Sequence, residues 1–400
     1  MISYDEALRI VFGSAEPLGT EEIPLFESGG RVLCGDAVSD VDMPPFDKSA
    51  MDGYACRRED LDLPLKVVEE IPAGSQPVKE IHGGECSKIM TGAEVPRGAD
   101  IVVMVEDTEL REGLVHVRRK SASRNICFRA EDAAAGDTVL AGGTIIGAAE
   151  AGVLASVGRS TVAVSRRPVV GIVATGSELV EPSETPSGPS IRNSNSAQLF
   201  VHSLEAGFAP RYFGIAGDSP GTVRDLVAGA AEESDVVLVS GGVSAGDYDF
   251  VPGALRENGF ELLFERIAIQ PGKPMVFGRK ASKWAFGLPG NPVSTFVLFE
   301  LFVKPFCFRL MGADYRPRVL RAPLSGALER KNAGRRSHVP ARLAGDGRAV
   351  AIEYHGSAHI HACAGIDGFI VIPEGVSRIG EGEAVSVILV GRAAGSGGER

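Results

Sequence analysis

The chain has 400 residues, of which 44% are hydrophobic and 23% are charged, proportions typical of a folded globular protein rather than a disordered one. Its net charge of −11 argues against a general binder of nucleic acid or of anionic membranes. Six scattered cysteines predict neither a zinc site nor a disulfide framework, and the acidic start of the chain is unlike a signal peptide, so we expect a cytoplasmic protein.

The first part of the chain predicts a helix, a β region and a second helix. Ser3 and Glu6 form a capping-box pattern before an amphipathic segment. Between Asp47 and Asp132, short β-type runs at 65–68, 101–106 and 114–118 are separated by Gly and Pro turns, which predicts a mostly β domain. The small-residue segment 148–158 then predicts another helix.

From residue 168 to residue 312 the sequence alternates between strand and helix patterns. This alternation predicts a parallel sheet covered by helices on both faces. The predicted strands are 168–174, 212–216, 235–240, 267–270 and 284–288, and the predicted helices are 196–206, 222–233, 252–258 and 292–311.

The end of the chain predicts a third kind of structure. Short strand-like runs return at 350–354, 369–372 and 384–389, which predicts a small β barrel or sandwich. The Gly- and Ser-rich tail is predicted to be disordered.

Each predicted strand of the α/β region is followed by a polar segment with glycine. The segments are TGSE after the first strand, GDS after the second, SGGVSAGDYD after the third, QPGKP after the fourth and PGNPVS after the fifth. Ligands of open parallel sheets bind beyond the carboxyl ends of the strands. One glycine turn is usually structural, but five at one edge predict a binding cleft.

Two chemical features of this edge can be predicted from the residue types. Asn291 is a natural N-cap, with Pro292 at N1 and Ser294 at N3, so this helix start predicts an anion site beside Lys273. Carboxylates that share a site with phosphate commonly hold Mg²⁺. The carboxylates at the strand ends are Glu178, Asp218 and Asp249, and the alternative is that each of them caps a helix or a turn.

Six motifs, in chain order, resemble the molybdopterin molybdenumtransferase (MoeA) family, which is related to the E domain of gephyrin. They are PPFDKSAMDGYA, IMTGAEVPRGAD, ATGSEL, SGGVSAGDYD, QPGKP and GLPGNPVS. The resemblance runs from about residue 1 to residue 390. It implies a discontinuous helical domain (1–44 and 137–167), a β insertion domain (45–136), a molybdopterin-binding α/β domain (168–316) and a C-terminal β-barrel domain (317–391), with 392–400 left as a disordered tail.

The resemblance also implies an activity and an assembly. Members of the family insert molybdate into adenylylated molybdopterin with Mg²⁺-dependent release of AMP, which forms molybdenum cofactor. They are homodimers in which the insertion of one subunit faces the α/β domain of the other. An upstream adenylyltransferase supplies the substrate and is a candidate partner, and neither nucleic acid nor a membrane is expected to be one.

Two alternative functions are weighed against this one. A molybdopterin adenylyltransferase would usually carry Gly-Gly-Thr-Gly where this chain has Gly-Gly-Val-Ser at 241–244, and it would lack the β insertion. A non-catalytic scaffold of the same fold, like gephyrin at receptor clusters, would need a counterpart of gephyrin's long linker, which this sequence lacks.

The strand-end argument and the resemblance together predict the site residues. The predicted catalytic residues are Asp52, Thr91, Asp132, Glu178, Asp218 and Asp249, with Asp218 and Asp249 as metal ligands. The predicted substrate-binding residues are Ser177, Gly241, Gly242, Ser244, Arg266, Gln270, Lys273, Pro274, Asn291, Ser294 and Ser357.

Two positions depart from the family pattern. Gln270 stands where relatives often have Lys, although Arg266 keeps a second cation nearby, and Cys127 stands where an Arg is frequent, with Arg129 close in sequence. Gln still donates hydrogen bonds to an oxyanion, but without charge assistance.

Overall fold

The computed structural model describes residues 1–244, 246, 249–353 and 356–391. The chain divides into two compact units. The first unit comprises Met1–Gly35, Gly142–Ala151 and the chain from Thr161 onward, and the second unit comprises Asp36–Ala141 and Gly152–Ser160. The predicted disordered tail, 392–400, lies outside the described residues.

The α-helices follow the predicted pattern closely. Ser3 is the N-cap of the first helix, and its side chain accepts a hydrogen bond from the backbone N–H of Glu6, as the capping box predicts. A π-helical turn, Phe299–Val303, joins the last two helices into one continuous rod, which matches the predicted helix 292–311. The helices of the described residues are α1 (Tyr4–Gly13), α2 (Ala148–Ser156), α3 (Ser194–Glu205), α4 (Pro220–Glu233), α5 (Val251–Glu257), α6 (Pro292–Leu298) and α7 (Lys304–Leu310).

The strands are numbered in chain order. The first twelve are β1 (Thr20–Pro24), β2 (Ala37–Val38), β3 (Lys48–Ser49), β4 (Gly53–Cys56), β5 (Leu65–Ile71), β6 (Glu85–Ile89), β7 (Ile101–Met104), β8 (Thr108–Arg111), β9 (Leu114–Val117), β10 (Ile126–Cys127), β11 (Thr138–Leu140) and β12 (Thr161–Ser165). The others are β13 (Val169–Thr175), β14 (Leu179–Val180), β15 (Ile191–Arg192), β16 (Ala209–Ala216), β17 (Val236–Ser240), β18 (Glu261–Arg266), β19 (Ile269–Gln270), β20 (Pro274–Lys280), β21 (Lys283–Leu288), β22 (Val319–Ser325), β23 (Leu328–Glu329), β24 (Arg336–Leu343), β25 (Ala349–Ala351), β26 (Gly368–Ile372), β27 (Arg378–Ile379) and β28 (Ala384–Leu389).

The second unit is built on one sheet with the order β7-β4-β6-β5-β9-β8. Its core contains Leu65, Ile101 and Val115, which come from the three predicted β runs. Gly53 opens β4, where a Cβ atom would lie 2.0 Å from the carbonyl oxygen of Val103 on β7. Only glycine therefore allows these two strands to pair at this point.

The main sheet of the first unit has the order β16-β13-β17-β21-β20-β18. The first four strands run parallel, and β20 and β18 are antiparallel to their neighbours. Val170 and Ile172 of β13 pack in the same core cluster as residues of α3, α6 and α7. Val173 of the same strand points to the other face, where it packs with α4 and α5. Helices therefore cover both faces, which confirms the predicted α/β class.

One strand that the sequence predicts for this sheet pairs instead with a strand of another sheet. The sequence pattern predicts the segment 267–270 as a fourth sheet strand, but β19 pairs with β24 of the C-terminal region. Its place is taken by β20 and by the edge strand β18. The sequence pattern does not predict β18 because Glu261, Glu265 and Arg266 flank an apolar run of only three residues. An edge strand tolerates such charges.

The C-terminal strands form a closed barrel. β24, β25, β22, β28 and β26 pair in this order, and β26 pairs back with β24. The predicted small β barrel is therefore confirmed. Among the described residues, no helix is long and apolar enough to cross a membrane.

Candidate active site

A cavity of about 660 Å³ lies at the carboxyl ends of the four parallel strands. Thr175 ends β13, Asp218 follows β16, Ser240 ends β17, and Pro289 follows β21, and all four residues line the cavity. The cavity thus lies at the strand ends, where the polar glycine segments predict a cleft.

Two glycines shape the wall that follows β17. Gly241 has φ +96° and Gly242 has φ +61°, values that favour glycine. A Cβ atom on Gly241 would lie 2.5 Å from the carbonyl oxygen of Thr175. The backbone of this loop therefore packs directly against the end of β13, and the Gly241 N–H donates to the Leu288 carbonyl at the end of β21.

Three predicted carboxylates line this cavity: Glu178, Asp218 and Asp249. Asp218 accepts a hydrogen bond from the backbone N–H of Ser177 at 2.9 Å, and its own N–H donates to the Ser177 hydroxyl at 2.9 Å. Two loops from neighbouring strands are locked together by this reciprocal pair, so Asp218 has a fixed position at the cavity.

Asp249 is not a helix cap. Its carboxylate accepts a hydrogen bond from the backbone N–H of Gly246, within its own loop. The N-cap of α5 is Phe250, which has no side-chain cap. The helix-capping alternative is therefore wrong for Asp249, whereas its hydrogen bond with Gly246 caps a turn of its own loop, as the turn-capping alternative predicts.

The donor set of the cavity fits Mg²⁺ only together with a ligand. Within the described residues, no group of three or more His, Cys, Asp or Glu side chains could hold a metal ion by itself. Mg²⁺, however, commonly takes one or two carboxylates and completes its shell with water and substrate phosphate. Asp218 and Asp249 line one cavity, and this arrangement fits an ion that binds together with a phosphate group.

The start of α6 has the predicted positions but a different hydrogen-bond pattern. Asn291 is the N-cap, yet its side chain makes no cap bond. Its Nδ2 instead donates to the Ser357 hydroxyl at 2.9 Å, and the Ser357 carbonyl accepts from Val293 N–H at 3.0 Å. The helix start is thus already partly satisfied by Ser357, while Ser294 lies buried at N3.

The predicted basic residues lie outside the lining of this cavity. Pro274 lines it, because β20 runs antiparallel to β21 and begins where β21 ends. Lys273 and Arg266 are exposed and do not line it. Gln270 is half-buried, and its Oε1 has no partner among the described residues.

One residue of the cavity is not predicted by the sequence analysis. Asn195 at the start of α3 is buried, and its Nδ2 donates to the Ser240 hydroxyl at 2.7 Å and to the Gly290 carbonyl at 2.8 Å. It therefore ties α3 to the ends of β17 and β21. Its Oδ1 is buried without a partner among the described residues. The polar run at 192–196 is the available signal, but the predicted helix begins only at the last residue of that run.

The second unit brings together two other predicted residues. Asp52 precedes β4 and Thr91 follows β6, the neighbouring antiparallel strand. The backbone N–H and the hydroxyl of Thr91 donate to the same Asp52 oxygen at 2.6 and 2.7 Å. The Thr91 hydroxyl and, next, its N–H hold the pKa of Asp52 below the ordinary value for an Asp, so this group is an anion at neutral pH.

Asp132 lines a cavity of about 900 Å³ in the second unit, which is separate from the cavity at the strand ends. Lys48, Cys127 and Glu131 line it as well. Burial and a hydrogen bond with Glu131 raise the pKa of the Cys127 thiol. Cys127 is therefore a neutral thiol at neutral pH and does not replace the positive charge that an arginine would supply.

The fold and the cavity together define a class of protein. A multidomain chain with a glycine-lined, carboxylate-bearing cavity at the ends of its parallel strands belongs to the α/β proteins that bind small molecules at this edge of the sheet.

Comparison with known families gives the particular family. Residues 2–158 match the MoeA N-terminal region (domain I and II), residues 171–309 match a probable molybdopterin binding domain, and residues 319–390 match the MoeA C-terminal region (domain IV).

Individual relatives cover nearly the whole chain. The molybdopterin molybdenumtransferase of Staphylococcus epidermidis is 34% identical over 399 residues, covering 97% of this chain and 95% of the relative. That of Bacillus subtilis is 33% identical over 408 residues, covering 97% and 94%. The crystal structure of the molybdopterin biosynthesis MoeA protein from Pyrococcus horikoshii is 32% identical with a TM-score of 0.83, covering 98% and 100%. The chain belongs to the MoeA family of molybdopterin molybdenumtransferases.

Proposed function

We propose that this protein inserts molybdate into adenylylated molybdopterin with Mg²⁺-dependent release of AMP, forming molybdenum cofactor. The observation that carries the proposal is the cavity at the ends of the parallel strands. Most of its lining belongs to the segment that matches a probable molybdopterin binding domain, and this part of the lining includes glycines and three carboxylates. The molybdopterin and adenylate phosphates would bind at these glycine loops.

The residues of the cavity have distinct roles in this proposal. Hydrolysis adds water to the adenylyl phosphorus, and the bond from that phosphorus to the bridging oxygen breaks, so that AMP and molybdopterin phosphate separate. Mg²⁺, held by Asp218 and Asp249, would supply charge neutralisation for the leaving phosphate. The buried Asn195 ties α3 to the ends of β17 and β21, and its Oδ1 would accept a hydrogen bond from the ligand.

The molybdate site in this proposal lies at the start of α6. Ser294, Ser357 and Asn291 would contact the oxyanion, and two exposed cations would supply positive charge: Arg266 at the end of β18 and Lys273 just before β20. Gln270 would contribute a hydrogen bond in place of a charge.

The remaining catalytic residues belong to the second unit. Asp52, Thr91 and Asp132 would complete the site across a homodimer, each insertion domain facing the α/β domain of the partner subunit. The division into a helical domain (1–44 and 137–167), an insertion domain (45–136), an α/β domain (168–316) and a barrel domain (317–391) belongs to this proposal. So do a cytoplasmic location and an upstream adenylyltransferase as supplier of the substrate.

The experiment supplies purified protein with adenylylated molybdopterin, molybdate and Mg²⁺, and measures AMP and pterin-bound molybdenum. Equal amounts of AMP and pterin-bound molybdenum are expected, and neither product is expected in a reaction without the adenylylated pterin. A parallel reaction with molybdopterin and ATP tests the adenylyltransferase alternative. Adenylyl transfer from ATP, or an absence of AMP release in the first reaction, would overturn the proposal.

A further inference from the structure

A second cavity of about 620 Å³ lies in the first unit. It is lined by Gln198 and His202 of α3, by Phe296, Glu300 and Lys304 of the continuous rod α6–α7, and by residues of the C-terminal region. We name it the helix cavity. None of its lining residues lines the cavity at the strand ends, so the two are separate.

Two residues that line the helix cavity each carry a buried polar atom that has no partner among the described residues. They are Oε1 of Gln198 and Nδ1 of His202. The two residues are four positions apart on α3 and therefore lie on one face of the helix. A buried acceptor without a partner costs free energy, and native proteins normally satisfy such atoms with protein, water or ligand groups.

The charges around the helix cavity favour a cation. The Lys304 ammonium pairs with the Glu300 carboxylate at 3.0 Å, and both side chains are buried, so this positive charge is already compensated. Burial and, next, the nearby Lys304 charge lower the pKa of His202 to about 4, and the ring is therefore neutral at pH 7. Glu205 is the other charged group of the lining, and its carboxylate repels anions.

The apolar part of the lining favours an organic ligand over a bare ion. The ring of Phe296 packs edge-on against His202 with the ring centroids 4.3 Å apart. Val201, Ile366 and Val390 complete this wall. A ligand with an apolar body and one donor-rich end matches both halves of the lining.

We propose that the helix cavity is a second binding site, and that it takes a small organic amine. The ammonium group donates to the Gln198 carbonyl and to the Glu205 carboxylate, and the apolar body of the ligand packs against Phe296 and Ile366.

Benzylamine is the probe for this site, titrated into the full-length protein by isothermal calorimetry. Saturable one-to-one binding is expected, in the range of about 1 mM for a ligand of this size. Benzyl alcohol, which lacks the charge, should bind at least about tenfold more weakly, since charge-assisted hydrogen bonds are about twice as strong as neutral ones. Equal affinity for the two probes, or no saturable binding of benzylamine, would overturn the proposal.

Two variants of one residue separate ligand binding from a structural role. Gln198→Leu removes the acceptor and should weaken benzylamine about tenfold, whereas Gln198→Glu keeps an oxygen, adds a charge and should strengthen it. A general loss of packing would weaken benzylamine binding in both variants. Gln76→Leu in an exposed loop is the matched control. Asp218→Asn tests whether the amine occupies the cavity at the strand ends instead. Loss of benzylamine binding in this variant would contradict the proposed site in the helix cavity.

Discussion

Asp249 is the carboxylate at which one substitution can distinguish a turn cap from the proposed Mg²⁺ ligand. Its hydrogen bond to Gly246 requires only an acceptor oxygen, which Asn also provides. Asp249→Asn should therefore keep the fold, as seen by circular dichroism, and should still bind adenylylated molybdopterin. Mg²⁺-dependent AMP release should fall by about two orders of magnitude or more, because a neutral amide holds Mg²⁺ poorly.

The matched control for this change is Asp225→Asn. Asp225 is an exposed carboxylate on α4 that pairs with Arg224, and its loss should leave AMP release unchanged. An Asp249→Asn protein with the AMP release of the unaltered protein would remove Asp249 from the reaction.

Thr91 controls the charge of Asp52 through two hydrogen bonds. Thr91→Val removes the hydroxyl donor, so the pKa of Asp52 should rise toward its ordinary value. Since the carboxylate is the active form in the proposal, the acidic limb of the pH profile of AMP release should move to higher pH. Thr108→Val, which removes a hydroxyl bonded to the Val105 carbonyl in the same unit, should leave this limb in place.

At the level of single elements, two glycines of the second unit predict opposite effects on stability. A Cβ atom on Gly53 would collide with the Val103 carbonyl, so Gly53→Ala should lower the free energy of unfolding by about 1–3 kcal/mol. Gly152 lies within α2, where the methyl group of an alanine would have nothing within 4 Å, so Gly152→Ala should raise it by about 0.5–1 kcal/mol. Urea denaturation measures both, and equal effects would contradict the proposed basis of the strand pairing.

The sequence predicts those elements whose signals are local. The helices α3, α4 and α5 lie within two residues of their predicted starts and ends because apolar periodicity, caps and glycine turns mark them. β18 lacks such a signal because charged residues occupy an edge strand.

The site likewise has features that local sequence patterns predict and features that they do not predict. Glycine turns and carboxylates at the strand ends predict the cavity, since parallel strands bring their ends together. The bridge that Asn195 makes between β17 and β21 depends on a contact between distant segments, so no local pattern predicts it. The Asp52–Thr91 pair likewise depends on the register of β4 against β6.

At the scale of the whole molecule, two histidines make stability depend on pH. His338 is fully buried and neither ring nitrogen has a partner among the described residues, and burial lowers its pKa to about 3. Burial likewise lowers the pKa of His202 to about 4. Below pH 6.5 the unfolded chain therefore binds protons at these two histidines that the folded chain does not bind. The contribution of the two neutral rings to the free energy of unfolding is full above that pH and is lost as the pH falls.

His338→Phe removes one of these proton sites without changing the size of the ring greatly. For each histidine the folding equilibrium constant should change by about tenfold per pH unit between about pH 6 and 4. The variant should thus show a shallower loss of stability in urea denaturation across this range. An unchanged slope would exclude His338 from the pH dependence.

We propose that the carboxylates of the α/β unit and Asp52 of the insertion act in one site shared by two subunits. Asp52→Asn and Asp249→Asn should each be inactive alone, and a mixture in which subunits exchange should form hybrid dimers that hold one intact site. The measurement is AMP release by the mixture, with exchange verified by mass spectrometry of differently labelled subunits. Recovery toward about one quarter of the activity of the unaltered protein is predicted, since half of the dimers are hybrids with one of two sites intact. Verified exchange without any recovery of AMP release would contradict the shared site.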